Sequence, residues 1–255
     1  MIVFPNAKIN LGLHVLEKRA DGFHNIETVF YPVDLSDILE IIPSDKRDTS
    51  FTSTGLKIEG EIRDNLCLKA FRLLSSTFSL PPVKIHLHKV IPMGSGLGGG
   101  SSDGAFTIKL LNDLFLLGLS ETEMIAFAGK LGSDCAFFIR NKPVYAHGRG
   151  DLFEMADVDL SSFRIKIISP AIHVSTSEAY RMVDNEMTGA RTSGKLTEII
   201  KKPVGKWKGL LMNDFEKPVF REHPDIERIK EKLYLDGALY ASMTGSGSSV
   251  FGIFA

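Results

Sequence analysis

A glycine-rich run in the middle of the chain constrains the fold more than any other feature of the sequence. Five glycines fall within the seven residues 94–100, and two serines and an aspartate follow at once. Such a run does not fit the interior of a helix or a strand, because each glycine costs about 1 kcal/mol relative to alanine in a helix. Apolar residues then recur at helical intervals over 106–117. The sequence therefore predicts a glycine loop that leads into a helix, where backbone N–H groups and the helix dipole can hold a phosphate.

Known phosphate-binding motifs differ in how they match this loop. A Walker A loop ends in Gly-Lys-Ser/Thr, and here a glycine and two serines stand in that place, which excludes it. A dinucleotide-binding fingerprint matches at Gly94, Gly96 and Gly99, but neither its βαβ unit nor its ribose-binding acid is evident. A phosphate cradle of another class is favoured, and dinucleotide binding and a simple packing turn remain alternatives.

Composition narrows the class of protein. The chain has 255 residues, of which 44% are hydrophobic, and its net charge of -1 argues against nucleic-acid binding through bulk attraction. Its two cysteines, Cys67 and Cys135, lie outside any metal-binding or redox motif, which favours a reducing cytoplasm. No apolar stretch is long enough to predict a membrane span, and the N-terminal segment does not resemble a signal peptide.

Hydrophobic periodicity predicts a mixture of strands and helices. Alternating and β-branched segments indicate strands at 9–16, 27–33, 83–90 and 163–168, and a second glycine loop between two short strands is expected near the C-terminus. Helical spacing is found at 66–78, after the glycine loop, and after Ser120, where Glu123 completes a capping box. Because no regular βαβ alternation appears, the fold class is predicted as α+β in two lobes. The lobes are expected at 1–150, with the phosphate loop, and at 151–255.

Two charged residues in apolar surroundings are candidates for catalysis. Asp134 follows a helix-ending glycine and precedes an apolar run, so it is either a partly desolvated base or a cap of the next helix. Lys8 lies in a predicted strand of alternating polarity, where its side chain either faces solvent or is buried because it has a functional role. Asn10 shares its strand face, so it lies on the same side as Lys8.

Several segments, taken together, resemble the GHMP kinases. Residues 92–105, PMGSGLGGGSSDGA, are similar to the central motif of that superfamily. Further similar segments follow its order along the whole chain: 5–30, 131–139, 213–216 and 243–254. The opening segment most resembles members that phosphorylate the 2-hydroxyl of 4-diphosphocytidyl-2-C-methyl-D-erythritol, in the non-mevalonate route to isoprenoids. Departures from the family pattern include Cys135-Ala136 in place of Val-Pro and Phe23 where tyrosine is common.

The resemblance implies a two-lobed kinase fold with ATP as the phosphate donor, bound together with Mg²⁺. Magnesium is expected to be held largely by phosphate and water, since no acidic pair is identified as its ligand. The residues expected to bind ATP are Pro92, Met93, Gly94, Ser95, Gly96, Leu97, Gly98, Gly99, Gly100, Ser101 and Ser102.

The resemblance also implies roles for individual side chains. Asp134 is expected to be the general base, and Lys8 is expected to face it and to stabilise charge on the transferred group. Asn10 is expected to bind the substrate. Phe23 and His24 are expected to bind the cytosine, with His173 on its opposite face; the alternative is that Phe23 is a core residue and His24 a surface residue.

Two other functions fit parts of the same pattern. One is a different kinase of the superfamily, acting on homoserine or mevalonate, although the segment ADGFH suits a nucleobase better. The other is a ligand sensor without catalysis, which the presence of both Lys8 and Asp134 argues against. The expected partners are the cytidyl substrate and ATP, with no nucleic acid and no membrane, and the expected oligomeric state is a monomer or a weak homodimer.

Overall fold

A computed structural model describes residues 1–184 and 196–255 of the chain. Its strands are β1 Ile2–Val3, β2 Asn6–Lys18, β3 His24–Ser36, β4 Ile38–Pro43, β5 Ser50–Gly55, β6 Val83–Lys89, β7 Val144–His147, β8 Leu152–Met155, β9 Arg164–Ile168, β10 Tyr240–Met243 and β11 Val250–Phe254. Its α-helices are α1 Leu66–Phe78, α2 Gly99–Leu114, α3 Glu121–Gly129, α4 Ser133–Arg140, α5 Thr176–Asp184, α6 Leu196–Ile199, α7 Glu216–Glu222 and α8 Pro224–Leu235. This mixture of strands and helices confirms the predicted α+β class.

The chain divides into two compact units whose segments alternate along the sequence. Unit 1 consists of Met1–Ala7, Asp34–Met93 and Gly98–Lys142. Unit 2 consists of Lys8–Val33, Gly94–Leu97 and Pro143–Ala255. The division into lobes at residue 150 stays a prediction.

Unit 1 is built on a four-stranded sheet in the order β1-β4-β6-β5, in which β5 and β6 are parallel and the other neighbours antiparallel. Strand β6 alternates as its sequence predicts: Val83, Ile85 and Leu87 are buried, and the residues between them are half-buried. The last residue on the buried face is Lys89, which is only 2% exposed. A buried ammonium needs a charged partner, and the site described below supplies it.

The opposite face of β6 is polar. The His86 ring bonds to the hydroxyls of Thr52 and Thr54 on β5, and the His88 ring bonds to Thr54. The two histidines thus belong to a polar sheet face. No group of three or more residues suited to holding a metal ion occurs among residues 1–184 and 196–255.

Unit 2 contains two sheets, β2-β3-β7-β8 and β10-β11-β9. Strand β11, the central strand of the second sheet, pairs antiparallel with both neighbours. Residues of α5, α7 and α8 join strand residues in one apolar cluster that includes Phe215, Val219 and Leu233. Trp207 is 1% exposed and its indole N–H donates to the Lys202 carbonyl, so this tryptophan packs against its own loop.

Local signals in the sequence explain where several helices begin. Ser120 and Glu123 form the predicted capping box at the start of α3. Helix α1 has the predicted bounds, and Asn65 caps it by accepting from the N–H of Cys67. Within the described part of the chain, no helix has the length and apolar character that crossing a membrane requires.

Candidate active site

The glycine loop (residues 94–100) runs into α2 as predicted. Gly98 is the N-cap of this helix and has a φ of 72°, in the left-handed region that glycine favours. Its carbonyl accepts the first helical hydrogen bond, from the N–H of Ser102. The N–H groups of the first turn have no carbonyl partner within the helix, so this end of α2 can bind an anion.

One glycine of the loop is required by packing. An ideal Cβ on Gly96 would lie 2.0 Å from the carbonyl oxygen of Thr244, in the second glycine loop (residues 244–249). A Cβ on Gly245 would lie 3.0 Å from the Cα of Gly96, and the N–H of Ser249 donates to the Ser95 carbonyl. The two loops thus contact backbone to backbone, and the packing alternative accounts for Gly96.

A cavity of about 130 Å³ lies in unit 1 beside the start of α2. It has both apolar and charged walls, formed by Ile58, Glu59, Glu61, Asp64, Asn65, Leu66, Leu87, Lys89, Met93, Gly100 and Asp103. Because Gly100 belongs to the first turn of α2, a ligand in this cavity lies next to the helix N-terminus.

Lys89 and Asp103, which line this cavity, meet a third buried charged residue, Asp37. The Lys89 ammonium lies 2.5 Å from Asp37 Oδ2 and 2.8 Å from Asp103 Oδ2, and all three residues are at most 3% exposed. Burial raises the pKa of Asp103 to about 7, although the neighbouring ammonium opposes the rise. This cluster was not predicted, yet the alternation in β6 places Lys89 on the buried face and could have revealed it.

Lys8 is 3% exposed on β2, which shows that the solvent-facing alternative is wrong. Its ammonium donates to Asn10 Oδ1 at 2.7 Å and lies 4.7 Å from the centre of the Phe30 ring. Asn10 is fixed in turn: its amide donates to Thr28, and its Oδ1 accepts from the Thr244 hydroxyl. The sequence prediction that Lys8 and Asn10 share a strand face is confirmed.

Asp134 lies in the first turn of α4 and is partly buried. The N-cap of this helix is Gly132, and no side chain makes the capping hydrogen bond. The next residue, Cys135, is fully buried, and burial raises the pKa of its thiol to about 12. A carboxylate at this position fits both a base and a favourable charge at a helix N-terminus.

The expected cytosine-binding residues differ in exposure. Phe23 is 57% exposed, and the guanidinium of Arg149 lies 5.4 Å from its ring centre. His24 is buried, and its Nε2 lies 2.5 Å from Asp184 Oδ1. The alternative of a core phenylalanine and a surface histidine is therefore wrong.

Two further rings of unit 2 make contacts here: Tyr180 with His24, and His173 with the glycine loop. Tyr180 of α5 stacks on His24 with ring centres 4.9 Å apart, a contact that no local sequence signal indicated. His173 is exposed, and its ring packs against the glycine loop, where a Cβ on Gly94 would lie 2.9 Å from its Cε1. His173 and Phe23 are both accessible to a ligand.

Comparison with known proteins identifies the family of this chain. Residues 65–142 match the family model for the GHMP kinases N terminal domain, and residues 197–255 match the model for GHMP kinases C terminal. A crystal structure of a 4-(cytidine 5'-diphospho)-2C-methyl-D-erythritol kinase superposes with a TM-score of 0.83 at 29% identity, covering 99% of this chain and 90% of that one.

Curated relatives are similar over the whole chain. The 4-diphosphocytidyl-2-C-methyl-D-erythritol kinase of Cytophaga hutchinsonii is 55% identical over 256 residues, and that of Parabacteroides distasonis is 52% identical over 254. Each match covers 100% of this chain and 92% of the relative. The chain therefore belongs to the GHMP kinases and, within them, to the 4-diphosphocytidyl-2-C-methyl-D-erythritol kinase family.

Proposed function

We infer that this protein transfers a phosphoryl group from ATP to the 2-hydroxyl of 4-diphosphocytidyl-2-C-methyl-D-erythritol, in the non-mevalonate route to isoprenoid precursors. The observation that carries this function is 52–55% identity, across the full chain, to two kinases named for that substrate. The products are the 2-phosphate and ADP. A catalytically inactive sensor is less consistent with a chain that keeps both Lys8 and Asp134.

ATP is proposed to bind at the glycine loop and the start of α2. The free N–H groups of the first helical turn suit the phosphates, and the adjoining cavity in unit 1 suits the base. The residues proposed for ATP are those expected from the sequence, 92–102. Gly96 acts there through packing, since its missing Cβ lets the second glycine loop approach.

Magnesium is proposed to accompany ATP. Asp103 is paired with Lys89 through Oδ2, while its Oδ1 and the buried hydroxyl of Ser102 both have no hydrogen-bond partner in the described part of the chain. A hydroxyl is a suitable oxygen ligand for Mg²⁺, which usually keeps waters and phosphates as its other ligands. When bound, the ion neutralises charge on the phosphates.

The transfer step is proposed to use Asp134 and Lys8. Asp134 accepts the proton of the 2-hydroxyl as its oxygen attacks the γ-phosphorus of ATP, and ADP leaves. The Lys8 ammonium, which is held by Asn10, stabilises the negative charge on the transferred group. Asn10 is also proposed to contact the substrate.

The cytosine is proposed to stack on Phe23, with His24 and His173 as further contacts. Phe23 is an exposed aromatic ring, and the guanidinium of Arg149 lies 5.4 Å from its centre, within the range of a cation–π contact. Base stacking on an aromatic side chain is worth about 1–3 kcal/mol, which is enough to anchor a small ligand. His24 and His173 both lie in unit 2 with Phe23.

The enzyme is proposed to act in the cytoplasm as a monomer or a weak homodimer, without a nucleic-acid or membrane partner. Two buried, unpaired cysteines, Cys67 and Cys135, are consistent with a reducing compartment.

Release of ADP with three acceptors, supplied side by side, tests the function. We expect turnover with the cytidyl substrate and none above background with homoserine or mevalonate. Turnover only with homoserine or mevalonate would contradict the substrate, and no turnover with any acceptor in a folded protein that binds ATP would favour a sensor.

A further inference from the structure

The cluster of Asp37, Lys89 and Asp103 connects the two sides of the glycine loop. Asp37 lies between β3 and β4, Lys89 ends β6, and Asp103 lies one turn into α2. Lys89 therefore binds one carboxylate from the sheet and one from the helix, at 2.5 Å and 2.8 Å. All three residues belong to unit 1.

The segment that enters the loop is held by the same cluster. Asp37 Oδ1 accepts hydrogen bonds from the N–H groups of Val90 and Ile91, at 2.6 Å and 2.9 Å. The carboxylate of Asp37 thus binds the ammonium with one oxygen and the backbone with the other. Val90 and Ile91 are the last two residues before Pro92. Their hydrogen bonds to Asp37 therefore fix the position of the backbone where it enters the loop.

The start of α2 lies directly on this cluster. A Cβ on Gly99 would lie 2.7 Å from Ile91 Cγ2 and 3.0 Å from Lys89 Nζ. The contact with Ile91 is shorter than real Cβ contacts, and the one with Lys89 is tighter than most, so a side chain at residue 99 would displace Ile91 or the start of the helix. The position of the helix N-terminus and the position of the ammonium are therefore coupled.

We propose that Asp37, Lys89 and Asp103 form a clamp that fixes both ends of the phosphate loop, and that Asp103 is a positioning residue for ATP binding. This inference rests on the proposed binding of ATP phosphates at the loop. A seven-residue loop with five glycines has large conformational freedom, and aligned N–H groups bind phosphate well only if that freedom is removed before the ligand arrives.

The charges of the clamp decide which variant tests it. Two carboxylates share one ammonium, so Asp103→Leu leaves Lys89 and Asp37 as a neutral pair, whereas a loss of Lys89 leaves two buried carboxylates. Asp103→Asn keeps an oxygen for the ammonium and has the same shape. Ile85→Val, on the buried face of the same strand, is the control for a general loss of stability.

The experiment measures the dissociation constant of ATP by calorimetry, and KM for ATP and for the cytidyl substrate. We expect Asp103→Leu to weaken ATP binding about 10-fold or more, with the cytidyl KM little changed, because the helix N-terminus is no longer held in place. Asp103→Asn should restore ATP binding to within about 3-fold of the wild type, and Ile85→Val should leave it unchanged. Hydrogen exchange at residues 99–102 should be faster in Asp103→Leu without nucleotide.

Two results would overturn the clamp. One is an Asp103→Leu protein with lower stability but unchanged ATP binding and exchange, which would make the cluster a purely structural ion group. The other is an equal loss of ATP binding in Ile85→Val, which would attribute the effect to general destabilisation. A wild-type protein that does not bind ATP would instead contradict the proposed function.

Discussion

At the scale of single residues, Asp134 is proposed as the general base and also lies in the first turn of α4, so the two roles need separate tests. We expect Asp134→Asn to lower kcat by about 10²–10⁴-fold, because the variant keeps the shape of the side chain and loses the proton acceptor. The dissociation constant of ATP should change little. Steady-state kinetics and calorimetry on the same preparation measure both quantities.

A matched control separates the loss of the proton acceptor from the loss of a negative charge at a helix N-terminus. Asp225 lies in the first turn of α8, as Asp134 does in α4. Asp225→Asn removes the same charge from the same part of a helix and should cost only about 0.3–1 kcal/mol of stability, with turnover unchanged. Near-wild-type turnover of folded Asp134→Asn would assign Asp134 to the helix terminus alone.

Asp103 is expected to make the stability of the protein depend on pH. Its pKa is raised from 3.8 to about 7 in the folded state, so between these values the folded chain binds a proton that the unfolded chain releases. The resulting stabilisation is fully present below the unfolded pKa and is lost as the pH rises through about 7. The free energy of unfolding should fall by up to about 1.4 kcal/mol per pH unit in this window.

Urea unfolding between pH 5 and 8 checks this dependence. Asp103→Asn has no proton to exchange at this site, so its stability should depend less on pH than that of the wild type, while other groups contribute equally to both. Equal slopes for the two proteins would contradict the raised pKa.

Phe23 is the residue on which the proposed cytosine site depends most. Phe23→Ala should raise KM for the cytidyl substrate about 5- to 150-fold, the equivalent of about 1–3 kcal/mol of stacking, and leave KM for ATP unchanged. Phe4 is similarly exposed, at 61%, and Phe4→Ala is the control. If both variants bind the cytidyl substrate as the wild type does, the base binds elsewhere.

Single residues also show how far the sequence predicts the site. The glycine loop and the position of Lys8 in a strand can be predicted from the sequence, because their patterns are local. The resemblance to the family motif then suggests their roles. The contacts of Tyr180 with His24, and of Lys89 with Asp37, join residues more than 50 positions apart in the sequence. Spacing along one strand or helix contains no information about such partners.

At the scale of elements, the two glycine loops depend on each other. Gly96→Ala would place a Cβ 2.0 Å from the Thr244 carbonyl oxygen at a residue whose φ is +79°, so we expect the free energy of unfolding to fall by about 2 kcal/mol or more. Gly100 offers the matched control, since its Cβ would meet only Leu66, at 4.0 Å. Thermal unfolding compares the two variants, and equal midpoints would contradict the backbone contact between the loops.

Elements with a strong period were predicted well, and those without one were not. The bounds of α1 and the alternation of β6 follow directly from apolar spacing. Helix α7 was not predicted, because it has only seven residues and contains Pro218. Proline usually argues against a helix, but here it lies within the first turn, where its missing N–H has no role.

At the scale of the whole molecule, ATP should stabilise the fold. Magnesium ATP at about 100 times its dissociation constant adds about 2.7 kcal/mol to the stability of a protein that binds it only when folded. For a chain of this length, that corresponds to a rise of about 5–10 °C in Tm. Differential scanning fluorimetry measures the shift, with inorganic phosphate as the control, and an unchanged Tm would contradict ATP binding.

The alternation of the two units along the chain has a consequence for protein synthesis. All segments of unit 1 have left the ribosome once Lys142 has emerged, so its sheet can form while translation continues. The second sheet of unit 2 cannot be completed before residues 250–254 have been made, because they form its central strand, β11. Strand β3 precedes β7 in the sequence, and it stays without this neighbour until residue 147 has been added. During that interval residues 28–30 of β3, which pair with β7 in the folded protein, form an unpaired strand edge in the nascent chain.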